Sequence, residues 1–319
     1  MELSRTNANQ NIISTDKPFI QANTESVELH ELTEKHIIPV FIKDNEPLIS
    51  HSDFIKAAQE SLSKYYPGDI VLPPSIRVSH PVKGRIPDAK IKPAADLLEH
   101  EKTLYYERMA FILEIPSYQQ TIGGNTLSLT IGGIKAFNLD NLYSKKGSDE
   151  HFKIFIGFKN TVCTNLCVWT DGLKTDLRVQ NVAQLKASID SLIENYNANY
   201  HLNAMRKFSE LSLTESQFAH VIGKCRMYNS LPYIYKKEIP ELLLGDNQVS
   251  AAVKEYYNDN DFSREMDGTI SLWKMYNLFT GVNKSSYIDT FFERSANAFK
   301  LIENIKWGLE GQDHCWYLR

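Results

Sequence analysis

The feature that most constrains this chain is a change of pattern near residue 180. Upstream, from about residue 75, the runs "SIRVSH", "LYYERMAFILEI", "NTLSLTIGGIKAFNL" and "HFKIFIGFKN" are rich in β-branched and aromatic residues. Some alternate, as Phe152, Ile154 and Ile156 do, which is the pattern of a strand with one face buried. Downstream, apolar residues recur at helical spacing. Val182, Leu185, Ile189 and Leu192 lie on one face behind a capping Asn181. Strands and helices are segregated rather than alternating, which argues against a doubly wound parallel sheet. The expectation is an α+β protein with an antiparallel sheet in the N-terminal half and a helical C-terminal part.

Finer signals fill in the elements. "HIIPVFI" reads as a short strand. "SHSDFIKAAQESLSKYY" reads as a helix with Phe54, Ile55, Ala58 and Leu62 inward and Ser50 or Ser52 as its cap. The pairs Gly123-Gly124 and Gly132-Gly133 both read as turns or bulges, and "GGN" predicts a hairpin joining "MAFILEI" to "TLSLTI". Thr214 and Gln217 have capping-box spacing. "SAAVKEYYND" and "TISLWKMYNLFTG" follow as helices. A long final helix, capped by Ser285, carries a stripe of Ile288, Phe291, Phe292, Ala296, Phe299, Ile302, Ile305 and Leu309. The first residues, with "SRTNANQN" among them, have little to bury. The predicted organisation is a flexible arm over 1–20, a mainly β part over 21–180 and a helical part over 181–319.

A chain of 319 residues with 42% hydrophobic and 23% charged residues can bury a large core. Its formal charge of −4 argues against general polyanion binding, so a nucleic-acid contact has to be a local basic patch. The cysteines Cys163, Cys167, Cys225 and Cys315 are too sparse for a disulfide framework. Neither a signal peptide nor a membrane span is visible. The expected location is the cytoplasm, away from any membrane.

Catalytic signatures are missing: there is no nucleophile elbow, HExxH, GxGxxG or paired CxxC. Cys163 and Cys167 read as core thiols, since no second cysteine pair completes a zinc site. No metal and no cofactor are expected. "TGVNKSSY" lacks the paired glycines of a phosphate loop and reads as a turn between helices, with Lys284 and Ser286 left as an anion contact. Glu107 beside Arg108 reads as a surface ion pair on a sheet, and Asp171-Gly172 as a turn.

The strongest candidate surface is "RVSHPVKGRIPDAKIKP". Residues 72–93 hold Arg77, Lys83, Arg85, Lys90 and Lys92 against one acid, Asp88, and five prolines keep the segment extended. Such a rigid basic ribbon, with His80, Tyr105 and Tyr106 as stacking faces, could track a single strand of nucleic acid. The competing reading is a solvated connection whose charges offset acidic helices.

"KPFIQANT", "IRVSHPVKGRIP", "YYERMAFILEIP", "SLTIGGIKAFN", "NLYSKKG", "FKIFIGFKNTVCTNLCVWTDG" and "LWKMYNLFTGVNKSSYID" together resemble domain-of-unknown-function family 3871 of Bacteroidetes genomes, over nearly the whole chain. More loosely the chain is similar to the phage/plasmid-like domain-of-unknown-function family 932, at Val162 to Leu166 and Leu272 to Asn277. Asn165-Leu166 stands where those relatives have Asn-Thr, so no site residue is carried across. The resemblance implies a mobile-element setting: conjugative elements, plasmids and prophages. It suggests a non-enzymatic role in DNA metabolism, with single-stranded DNA or element-encoded proteins as partners. The rivals are an enzyme on a small-molecule or nucleotide substrate, using Glu107, Arg108 and Asn165, and a host-interaction or anti-defence protein. A basic surface with tyrosines would favour the first, a pocket with convergent polar groups the second, and an exposed apolar patch the third.

Overall fold

The computed structural model describes residues 17–34, 49–79, 81–89, 91–140, 149–311 and 315–319. The strand predicted over "HIIPVFI" and most of the N-terminal arm lie outside them. Among the described residues no helix is long and apolar enough to cross a membrane.

The chain opens with β1 (Glu25–Ser26), α1 (Leu29–Glu34) and α2 (His51–Tyr65). Of the two predicted caps it is Ser50 that starts α2. Its hydroxyl accepts from the Asp53 amide at 3.0 Å while the Asp53 carboxylate accepts from the Ser50 amide at 3.3 Å. Then come β2 (Ser75–Val78), β3 (Pro81–Arg85), β4 (Lys102–Tyr106), β5 (Arg108–Ile122), β6 (Asn125–Ala136), β7 (Glu150–Asn160), β8 (Leu166–Cys167) and β9 (Leu173–Val179). The main sheet is antiparallel in the order β1-β2-β5-β6-β7-β8, with β9 also paired to β7. β5 and β6 form the predicted hairpin, turning at Gly123 (φ 53°) and Gly124 (φ 79°). Both positions need the left-handed conformation that glycine adopts without steric cost. The register slips between Ile115 and Gln119, around Pro116, which has no N–H to give the ladder.

Gly132-Gly133 is not a turn. Both residues lie inside β6, opposite Ile112 and Phe111. A Cβ on Gly133 would sit 2.2 Å from the Phe54 ring, and one on Gly132 would sit 2.3 Å from the Phe111 carbonyl and 2.6 Å from the Phe155 ring. The pair lets aromatic rings close on the sheet from both sides. Phe54 of α2 makes edge contacts with Phe111 and Phe152, each at 4.9 Å between centroids, on one face. Phe155 meets Phe292 at 4.4 Å on the other.

The helical half supplies the outer layers. It runs α3 (Val182–Asn195), α4 (Ala198–Glu210), β10 (Ser212–Leu213), α5 (Glu215–Ser230), α6 (Tyr233–Lys236), α7 (Asp246–Asn258), β11 (Ile270–Ser271), α8 (Leu272–Val282) and α9 (Phe291–Leu309). Asn181 caps α3, and Thr214 with Gln217 forms the predicted box on α5. Val182, expected inward, is exposed. The final helix starts later than predicted. Ser285 does not cap it, because residues 283–285 and 288–290 are tight turns and the helix begins at Phe291. Its stripe is buried nearly as expected, from Ile288 to Ile305.

Two residues of the predicted arm have buried side chains. Phe19 and Ile20 are buried with Ile288, Phe291 and Phe292 in the cluster on that second face of the sheet. The larger apolar cluster draws on both halves, from Val27 to Tyr317. Within it Lys135 is fully buried, its ammonium 2.9 Å from Asp140 and 2.8 Å from Glu150. Glu150 also accepts from the Ile49 amide at 3.0 Å, which ties the start of α2 to the sheet.

Phe292 has no exposed surface, so Phe292→Asp should cost at least about 4 kcal/mol, through the lost ring and a desolvated carboxylate. Chemical denaturation would measure it, and an unchanged midpoint would place Phe292 at the surface.

His201 on α4 carries a pH signature. It is fully buried among Phe158, Trp169 and Phe299, its Nδ1 lies 2.7 Å from the Tyr196 hydroxyl, and its Nε2 has no partner. Burial pushes its pKa down to about 3. Between about pH 6.5 and 3 the unfolded chain therefore binds a proton that the folded chain refuses, and stability falls as pH falls. The expected slope is about 1.4 kcal/mol per pH unit in that window. Urea titrations from pH 7 to pH 4 should show His201→Leu with a shallower dependence than the parent.

Candidate functional site

The predicted basic ribbon folds into a hairpin. β3 pairs with β4 from Pro81 opposite Tyr106 to Arg85 opposite Lys102. This places Tyr105 and Tyr106 on the partner strand of Lys83 and Arg85, as the ribbon hypothesis needs. Both rings, however, turn inward. Tyr105 stacks edge-on against Phe137 at 5.3 Å, Tyr106 belongs to the main core, and burial pushes both phenols up to about 12. Neither ring offers a stacking face.

Three cations of the ribbon, Arg77, Arg85 and Lys92, are engaged. Arg77 donates to the Thr24 carbonyl at 2.5 Å and to the Thr24 hydroxyl at 2.8 and 3.0 Å. Arg85 donates to the Lys92 carbonyl, and Lys92 pairs with Glu101. Lys83 lies in β3 opposite Leu104, while His80 and Lys90 fall outside the described residues. Glu107 and Arg108 mark the break between β4 and β5. Arg108 lies 4.0 Å from the neighbouring Glu107 and 3.8 Å from Asp289 in the turn before α9, so its charge is shared between the two carboxylates.

Lys284 is far from this hairpin in sequence. It is buried, and its ammonium donates to the Cys163 carbonyl and to the Thr164 hydroxyl. It belongs to a polar seam where the two motifs around Asn165 and Asn277 meet. The Asn165 amide donates to the Asn277 carbonyl at 3.0 Å and the Asn160 amide to the Asn277 side chain at 3.3 Å. Among the described residues no group of three or more His, Cys, Asp or Glu is placed to hold a metal.

A second surface was missed by sequence reasoning. α5 stops because Leu231 precedes Pro232 and is held extended, at φ −67° and ψ 142°. The chain then makes a single helical turn, α6, that projects from the body. Tyr233, Ile234 and Tyr235 are 77%, 69% and 62% exposed, and Met227 beside them on α5 is also exposed. The turn is fixed at its base, since Leu231 N–H donates to the Tyr228 carbonyl and the Tyr317 hydroxyl donates to the Pro240 carbonyl at 2.6 Å.

From 224 to 237 the sequence "KCRMYNSLPYIYKK" holds Lys224, Arg226, Lys236 and Lys237 and no acid. Three of these cations lie over rings: Lys236 over Tyr228 at 4.9 Å, Lys237 over Tyr233 at 5.3 Å and Lys224 over Trp316 at 4.8 Å. Among the described residues none of the four has a carboxylate within salt-bridge distance. The signal that could have found this surface is "YIYKK" directly after a helix-stopping proline, with aromatic side chains and no core periodicity to absorb them.

Since the rings of the β3–β4 hairpin are structural, Tyr106→Ala should destabilise the fold by about 3–5 kcal/mol. Thermal and urea unfolding would register that loss, and a variant as stable as the parent would contradict the burial of this ring.

No curated protein and no solved structure was found to match the chain. The family model described as "Domain of unknown function, B. Theta Gene description (DUF3871)" matches residues 6–318, and the chain belongs to that family.

Proposed function

We propose that this family member binds single-stranded nucleic acid through the α5–α6 surface and acts non-enzymatically in DNA metabolism. One observation carries the reading: two tyrosines and an isoleucine stand exposed on a projecting turn whose flanking cations have no acidic partner among the described residues. Bases stack on exposed aromatic faces whatever their sequence, and unpaired lysines follow the phosphates. A short rigid turn loses little conformational freedom on binding, which favours such contacts. The net charge of −4 restricts the attraction to this patch and predicts modest, salt-sensitive affinity rather than tight coating of DNA. The mobile-element setting implied by the family resemblance, with work in the cytoplasm, agrees with this reading.

The test is an anisotropy titration of a fluorescent single-stranded oligonucleotide at several salt concentrations. Stacking contributes about 1–3 kcal/mol per base, so Tyr233→Ala with Tyr235→Ala should weaken binding about tenfold or more. Lys236→Gln with Lys237→Gln should flatten the log–log salt slope by about 1.4. All four residues lie on the projecting turn, so the variants should fold as the parent does. Absence of binding at low salt would remove the proposal. Unchanged affinity and slope in both variants would move the site elsewhere.

A further inference from the structure

The polar seam around Lys284 opens into a cleft of about 420 Å³, between the loop after β7, the ends of α7 and α8, and the segment that begins at Lys17. Such a volume suits a small molecule rather than a polymer. Lys284 is 7% exposed, and among the described residues no carboxylate lies within 4 Å of its ammonium. Its two partners are a carbonyl and a hydroxyl, which orient the charge without neutralising it. A buried cation with no counter-charge is costly unless something else supplies the anion. Lys17, exposed on the same cleft, adds a second positive charge.

Two further features are hard to explain by folding alone. Thr164, whose hydroxyl receives the Lys284 ammonium, sits at φ +59°, a left-handed conformation that a β-branched residue rarely adopts. Strain of this kind persists where surrounding contacts impose it, and it clusters at ligand sites. Asn165 also lines the cleft and is 2% exposed. Its amide nitrogen is fixed by the Asn277 carbonyl, and its Oδ1 has no hydrogen-bond partner among the described residues. The other wall comes from the end of α7 and the turn after it and carries Glu255, Asp259 and Asp261; the Asp259 carboxylate also accepts from the Asp261 and Phe262 amides at 2.8 Å. Cys163 lies in the cleft as well, but burial pushes its thiol up to about 11, so it stays protonated and is no nucleophile.

From this we infer that the cleft is a receptor for a small two-ended molecule. Its anionic group, phosphate or carboxylate, sits at Lys284 and Lys17, and its amino group faces Glu255 and Asp259. The chemistry on the page is that of binding. This is a site separate from the α5–α6 surface, and it stands or falls independently of it.

Four probes separate the terms: phosphoethanolamine and β-alanine, which carry both ends, inorganic phosphate, which carries only the anion, and ethanolamine, which carries only the ammonium. Calorimetric titration should show a two-ended probe binding about tenfold or more tighter than either single-ended one, because each charged contact contributes independently. The preferred probe distinguishes a phosphate from a carboxylate ligand. Lys17→Ala, at an exposed position, should weaken that probe several-fold, and Lys284→Met should abolish its binding while circular dichroism stays that of the parent. Glu255→Gln should shrink the advantage of the two-ended probe over its anion alone. The inference is overturned if no probe binds, if phosphate binds as tightly as phosphoethanolamine and β-alanine does not bind, or if Lys17→Ala leaves the affinity unchanged. Should Lys284→Met fail to fold, Lys17→Ala and Glu255→Gln still decide.

Discussion

Everything in this molecule hangs on a sheet that is buried on both faces. β6 and β7 are covered along nearly their whole length, with α2 and α3 on one side and the turns before α9, α9 itself and the segment at Phe19 on the other. An antiparallel sheet more often keeps one solvated face. Here the second face is closed because Gly132 and Gly133 lie side by side at the middle of β6. Each residue of a strand points to the opposite face from its neighbour, so two successive glycines open a gap on both sides at one level. Phe54 enters one gap and Phe155 with Phe292 closes over the other. Interiors are close-packed, and a methyl group at either glycine would displace a ring or the Phe111 carbonyl.

That arrangement binds the two halves of the chain into one core. The residues that roof the second face come from opposite ends of the sequence: Phe19 and Ile20 near the start, Ile288, Phe291, Phe292 and Ala296 near the end. Cys163, Thr164 and Asn165 follow directly from the last residues of β7, and Asn277 and Lys284 from α8 and its end. The polar seam therefore sits where the helical half seals against the rim of the sheet. Its amides and carbonyls bond one another across that junction, except that the Asn165 Oδ1 has no hydrogen-bond partner among the described residues. Lys284 is hydrogen-bonded there, with no carboxylate among the described residues within 4 Å.

How much of this was legible follows from which forces leave a local trace. Capping leaves one. Asn181 and Thr214 are legible in the sequence, and Ser50 as one of two candidates with Ser52, because the cap bonds only residues three positions away. The β5–β6 turn leaves one too, since positive φ at two successive residues demands glycine. Gly132-Gly133 looks the same in sequence but answers to a different demand, the room for Phe155 at Gly132 and for Phe54 at Gly133, and those rings come from 23 and 79 positions away. The start of α9 was misplaced for a related reason. Ser285 is a good cap by composition, yet its hydroxyl donates to the Val282 carbonyl and closes the preceding turn. The seam was half visible: Asn165 and Lys284 were singled out, but nothing local says that they share a cleft.

The basic ribbon shows most sharply why linear charge density misleads. Over residues 72–93 the positive charge is dense and only Asp88 opposes it, but strands do not meet solvent as isolated segments. Pairing brings β4 alongside, and the residues just before it deliver Glu101 to Lys92 and Glu99 to Lys102. The carbonyl of Lys92 takes up Arg85, and Thr24 takes up Arg77. The segment 224–237 is at least as dense in cations, and among the described residues none of them has a carboxylate partner: Lys236 meets the Asn229 carbonyl and Arg226 the Ser250 hydroxyl, while Tyr233, Ile234 and Tyr235 stay exposed. On the proposed reading, what a polyanion would meet is the charge that the fold has not paired with its own acids, and that depends on the partners pairing brings alongside rather than on the run of lysines in sequence.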